Sequence, residues 1–180
     1  MRMSPMRVDT KQIIQRIGET DQLYLEGNTP QLALERADLR LYLVTLSNLR
    51  QEQVYFLQEA VVILEQGRVE FDEMPMSVYM DLSLYLAKAY MIYYEITKEL
   101  RFALITQQIL KPIVSDEYGD VYFFLAYAAI SKAELSMTRH WLTKYGKTAA
   151  FDASLLQEHP AFQALHTETW FIQLMRIKLH

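Results

Sequence analysis

Apolar residues return at three- and four-residue intervals along nearly the whole chain, and no segment sustains the in-out alternation of a half-buried strand. The breaks between these periodic stretches carry helix punctuation. Asn28-Thr29-Pro30 offers an N-cap followed by proline at the first helical position, and Pro75 with Ser77 and Pro160 mark further starts. Gly67 and Gly146 fall where C-caps belong, and Ser115 to Asp120 reads as a turn ending in an N-cap. The pattern predicts helices over 9–26, 30–48, 51–66, 76–97, 99–113, 120–132, 134–146, 160–166 and 168–178. This is an all-α fold of about eight to nine helices. Connections of a few residues make successive helices antiparallel hairpins. The stretch from Glu65 to Pro75, with Glu70, Asp72 and Glu73, is the longest break and is expected to be a mobile loop.

One motif occurs twice, about 39 residues apart: Leu86-Ala87-Lys88-Ala89-Tyr90 and Leu125-Ala126-Tyr127-Ala128-Ala129. Each copy is followed by a second helical stretch, containing Arg101-Phe102-Ala103-Leu104 in one case and Arg139-His140-Trp141-Leu142 in the other. Leu86, Ala87 and Tyr90 lie on one flank of their helix, where alanine lets a neighbour come close. Helix pairs recurring at this period are the signature of a solenoid, in which each unit covers its apolar face with its neighbours. An earlier pair, 30–48 and 51–66, has similar lengths and Ala60 in its second helix.

On these residues the chain resembles the tetratricopeptide-repeat family. Tyr122, Leu125 and Ala126 fit the family's first-helix pattern in one copy, and Leu86, Ala87 and Tyr90, with Ala103 in the second helix, fit it in the other. The segment Phe151 to Leu165 also looks like the one that follows a last such repeat. The resemblance covers roughly residues 76–166. It implies an α-α superhelix of antiparallel hairpins, with units at about 30–66, 76–113 and 120–146 and capping helices over 152–180. The whole would form one domain, 9–180, behind a flexible N-terminus, 1–8. The family's concave binding face falls on Asp81, Leu84, Lys88 and Met91 in one copy and on Phe123, Tyr127 and Ile130 in the next. Members that clamp a terminal carboxylate place polar groups where Leu84 and Phe123 stand, so this face suits an amphipathic helix or an extended apolar peptide instead.

Composition narrows the class. Hydrophobic residues make up 51% and charged residues 22%, the balance of an ordinary folded domain. A net charge of -4 gives no reason to expect nucleic acid. The longest apolar run, Val121 to Ile130, is about half a bilayer span, so no membrane segment is expected and the chain reads as cytoplasmic. Without cysteine there is no disulfide and no thiolate chemistry.

Candidate chemistry is sparse. His140, His159, His166 and His180 lack the helical spacing of metal ligands, and no glycine-rich phosphate loop or nucleophile elbow occurs, so no metal or cofactor is expected. Asp81 with Glu95, and Asp116 with Glu117 and Asp120, are the carboxylate groupings that acid-base catalysis would draw on. Tyrosine is more informative: of twelve, Tyr79, Tyr85, Tyr90, Tyr93 and Tyr94 crowd one helix, and Tyr79, Tyr90 and Tyr94 share a face. The reading is therefore a non-catalytic scaffold for another protein or peptide segment, in particular a small chaperone or adaptor. A toxin-neutralising immunity-type protein is the alternative, with a helical-bundle enzyme third. The last helix, Thr169 to Leu179, is apolar nearly all round, which suits a cap on the end of the stack or a homodimer contact.

Overall fold

A computed structural model describes residues 10–179, and among them every regular element is helical. The fold is all-α. The helices are α1 (Thr10–Glu26), α2 (Pro30–Leu46), α3 (Arg50–Glu70), α4 (Met76–Thr97), α5 (Leu100–Leu110), α6 (Asp120–Ser131), α7 (Leu135–Tyr145), α8 (Ala153–Glu158) and α9 (Thr169–Leu179). Two 3₁₀ segments, Lys111–Ile113 and Pro160–Leu165, complete the set. The flexible N-terminus expected at 1–8, the helix start at residue 9 and His180 lie outside the described residues. None of these helices is long and apolar enough to cross a membrane.

The chain divides into two compact units, one ending at Ile96 and the other beginning at Thr97. Sequence reading placed one continuous domain here, and the division falls inside the segment 76–113 read as a single repeat unit.

In the first unit α1 to α4 run alternately up and down. Thr29 caps α2, its Oγ1 accepting from the Leu32 amide at 3.0 Å, with Pro30 at the first helical position as expected. One stripe of α2, Ala33, Ala37, Arg40 and Val44, is buried at helical spacing. Small side chains let α3 close on it. A Cβ added to Gly67 would stand 3.3 Å from both the Ala33 Cβ and a Leu82 methyl, so this glycine serves close approach. It does not end the helix. The C-cap expected at Gly67 is corrected accordingly: α3 continues to Glu70, and the expected loop from Glu65 shrinks to Phe71 through Pro75.

Antiparallel pairing of α3 with α4 is fixed by polar contacts. Arg68 donates from Nε to the Ser83 hydroxyl at 3.0 Å and from Nη2 to the Tyr79 hydroxyl at 2.7 Å. Gln58 donates to the Tyr93 hydroxyl at 3.2 Å, and the Tyr90 hydroxyl donates to Glu65. Burial, and then that hydrogen bond to a carboxylate, push the Tyr90 hydroxyl well above the ordinary tyrosine range. The motif residues Leu86, Ala87 and Tyr90 are all buried here, as their spacing predicts.

In the second unit α6 is enclosed by α5, α7 and the 3₁₀ segment Pro160–Leu165. Tyr145 organises the chain beyond α7: its hydroxyl donates to the Ala150 carbonyl at 3.1 Å and accepts from the Asp152 amide at 3.0 Å. Burial pushes that hydroxyl up to about 12. Asp152 then caps α8 by accepting from the Leu155 amide at 3.0 Å, a short helix not set out individually in the sequence reading. Gly146 takes an ordinary right-handed conformation. A Cβ there would meet a Leu174 methyl of α9 at 2.7 Å, so the glycine lets α9 come close without that side chain having to shift. Helix α9 buries Phe171 and Met175 one turn apart and exposes Ile172 and Ile177 beside Gln173 and Arg176, so apolar residues stand on its outer face as well as its inner one.

The turn from α6 to α7 carries a local cost. Ala133 sits at φ 58° as the Glu134 amide bonds back to the Ala129 carbonyl at 2.9 Å, a left-handed helix terminus usually given to glycine. For a residue with a Cβ that conformation costs about 1–2 kcal/mol, which outweighs the extra chain entropy glycine loses on folding. Ala133→Gly is expected to raise stability by about 0.5–1 kcal/mol, read as a higher denaturation midpoint at unchanged denaturant slope.

Candidate functional site

The residues expected on a binding face divide between the two units and differ in exposure. On α4, Asp81 and Lys88 are exposed and Leu84 is half-buried, and these three share a face at i, i+3 and i+7. Met91 is buried in the core. Beside them the Lys88 ammonium lies 5.7 Å from the Tyr85 ring centre. Burial, then the charges of Asp38 and Asp81, raise the Tyr85 hydroxyl above its usual range.

On α6, Ile130 is half-buried, whereas Phe123 and Tyr127 are 6% and 5% exposed. The Phe123 ring packs 5.8 Å from both Tyr145 and Phe162, and the Tyr127 ring lies 4.5 Å from His159. His159 itself accepts from the Ala161 amide at 3.1 Å, capping the 3₁₀ segment. The two aromatics therefore clamp that segment onto α6. The expectation that they line an open groove gives way to a core role, because a helix apolar on every side is buried on every side.

An open cavity of about 310 Å³ does occur in the first unit, in a place the sequence reading did not select. Its lining comes from two helices. Arg36 and Arg40 of α2 meet Tyr55, Glu59 and Val62 of α3. The Arg40 side chain is only 6% exposed, and each of its three nitrogens donates: Nε to Glu59 at 2.9 Å, Nη1 to the Arg36 carbonyl at 3.1 Å, and Nη2 to Asp21 of α1 at 3.3 Å. Arg36 donates twice to the same Asp21 oxygen at 3.2 Å and stacks its guanidinium 4.3 Å from the Tyr24 ring centre. Two guanidinium groups and two carboxylates thus neutralise one another on the floor, while Tyr55 and Val62 stand 56% and 61% exposed at the rim. Such a site offers apolar and hydrogen-bonding contact on a rigid base. A sequence signal for it existed, since Arg40 occupies a core position in the stripe that starts at Ala33.

Asp120, at the start of α6, has a carboxyl raised by burial and then by the charge of Asp152. Much of the residue remains exposed, which is not the enclosure that acid catalysis uses. No group of three His, Cys, Asp or Glu side chains is placed to hold a metal ion among the described residues.

Comparison with protein-family models, with curated proteins and with solved structures gives no match to this chain.

Two outcomes follow from this geometry. Replacing Phe123 and Tyr127 together with alanine removes two buried rings, a change that costs about 3–5 kcal/mol for a fully buried aromatic, so the circular-dichroism melt of the double variant is expected to collapse. In the Arg40 cluster the effect is asymmetric. Arg40→Met leaves two carboxylates that are 44% and 34% exposed and can be hydrated, whereas Asp21→Ala with Glu59→Ala strands a buried cation. Chemical denaturation should therefore find the double carboxylate variant the less stable of the two.

Proposed function

We propose that this chain is a non-catalytic protein- or peptide-binding scaffold of tetratricopeptide-like helical hairpins, acting as a small chaperone or adaptor. The observation that carries this reading is the cavity between α2 and α3, whose floor is held rigid by the ion cluster of Arg40 while its rim exposes Tyr55 and Val62. A rim of this kind gives an incoming segment apolar area and an aromatic contact, and the fixed floor means that little conformational entropy is lost on the scaffold side. On α4 the face with Asp81, Leu84 and Lys88 adds further positions of the kind such repeats present to a ligand. Met91, Phe123 and Tyr127 support the scaffold as core residues and do not enter the contact surface.

The reading is tested by selecting from a displayed library of random 20-residue peptides on the folded full chain and titrating the enriched peptides calorimetrically. Saturable one-to-one binding, at a dissociation constant of about 1 μM or below, is the expected result and corresponds to about -8 kcal/mol. A selection that enriches nothing over heat-unfolded protein removes the scaffold reading.

A further inference from the structure

The outward side of α7 carries one sign of charge. Ser136, Arg139, His140, Thr143, Lys144 and Lys147 recur at three- and four-residue intervals and are all exposed, while Thr138, Trp141, Leu142 and Tyr145 are buried on the other side. Lys147 lies two residues past the helix, and its amide bonds to the Lys144 carbonyl at 3.1 Å, so the turn carries the stripe on. From residue 135 to residue 151 the chain holds no Asp or Glu, in a protein whose acidic residues outnumber its Lys and Arg by 22 to 18.

These cations are held in place without being neutralised. Arg16, Arg36 and Arg40 in the first unit, and Arg101 and Lys132 in the second, each pair with a carboxylate. Among the described residues Arg139, Lys144 and Lys147 pair with none. Aromatic rings position two of them instead. The Arg139 guanidinium lies 5.7 Å from the Trp170 ring centre, and the Lys144 ammonium lies 5.8 Å from that of Tyr122, which itself stacks on Trp141 at 5.9 Å. Of the acids in the surrounding elements, Glu134 accepts from Gln107 at 2.8 Å, Asp116 accepts from the Tyr122 hydroxyl at 2.6 Å and Asp152 caps α8. Glu168, two residues before Trp170, is exposed and makes no ion pair with Arg139. The helix dipole favours Lys144 and Lys147 at the end of α7, but it does not account for Arg139 and His140, which precede the last turn.

Spacing and charge together decide the occupant. Arg139, Thr143 and Lys147 rise about 6 Å apart, about 12 Å in all. An extended chain turns the same side outward about every 7 Å, so carboxylates at alternate positions keep step with the stripe. We infer that the outward face of α7 docks an extended acidic segment of a partner protein, whose alternate carboxylates meet Arg139, Lys144 and Lys147. Three cations over this length suit a few carboxylates, whereas a nucleic-acid site commonly engages about 6–10 phosphates. Because the rings orient two of the cations in advance, little side-chain entropy is lost when the segment arrives. The surface lies in the second unit and goes beyond the cavity reading, on which it does not depend.

The experiment uses the full chain and two labelled 8-residue peptides, one alternating glutamate with serine and its twin alternating lysine with serine. Fluorescence anisotropy should show saturable binding of the glutamate peptide, at least tenfold tighter than the lysine peptide and weakening as salt rises. Arg139→Glu with Lys147→Glu should lower that affinity at least tenfold, and so should the milder Arg139→Gln with Lys147→Gln, both with the circular-dichroism melt of wild type. The control is Arg50→Glu with Lys111→Glu, which changes the net charge by the same amount at exposed, unpaired cations away from α7 and should leave affinity unchanged. Absent binding, an equal loss in the control, or an unchanged affinity in the glutamine variant would each overturn the assignment. So would a thymidine oligonucleotide that binds the same face more tightly than the glutamate peptide, or a wild-type assembly in sedimentation velocity that the α7 variants dissociate. A library selection that enriches nothing removes the cavity reading and leaves this one standing.

Discussion

A guanidinium taken out of water must find partners for its donors, and in this protein that requirement shapes the first helical unit. Arg40 sits on the core stripe of α2, so α1 and α3 have to deliver acceptors from either side, which they do through Asp21 and Glu59. The consequence is geometric. Three helices are held by one charged centre, and the side of the cluster that is not covered becomes the floor of the cavity. Apolar residues of the same volume could supply comparable stability, but not this orientation of Glu59 beside Tyr55.

Close packing supplies the complementary constraint. Ala33 and Gly67 allow α2 and α3 to approach until a single extra carbon would press on its neighbours, so one face of α3 is buried through Leu57, Ala60 and Leu64. In the second unit, small residues on α6 work alongside large ones. Ala126, Ala128 and Ala129 are fully buried while Phe123, Tyr127 and Tyr122 fill the space around them, and the stacked Tyr122–Trp141 pair links α6 to α7.

The helical class and most helix limits were legible because the caps are local. Pro30 after Thr29 and the repeated Leu-Ala motif each act within a turn or two, and periodicity alone places Leu86, Leu125 and Ala126 inside. The N-cap expected at Asp120 falls instead on Gly119, with Asp120 the first residue of α6 and no side-chain cap bond. What was not legible depends on distant partners. Gly67 reads as a terminator until Leu82 is seen against it, and Phe123 with Tyr127 read as a groove until Phe162 and His159 arrive from more than thirty residues away. The continuous apolar run over α6 was the available warning, since a helix with no polar side has none to give to solvent. Arg40 is the opposite case, a charge at a core position whose two partners lie 19 residues to either side and carry no local signature.

These constraints leave α3 with two faces of different character. The face turned to α2 and α4 is fixed by small residues and by the contacts of Arg68, Gln58 and Glu65, so it has no freedom to rearrange on binding. The outward face inherits that rigidity and carries Tyr55, Val62 and Val69, each more than half exposed. Apolar side chains exposed in register on one helix face leave area that the described residues only partly cover.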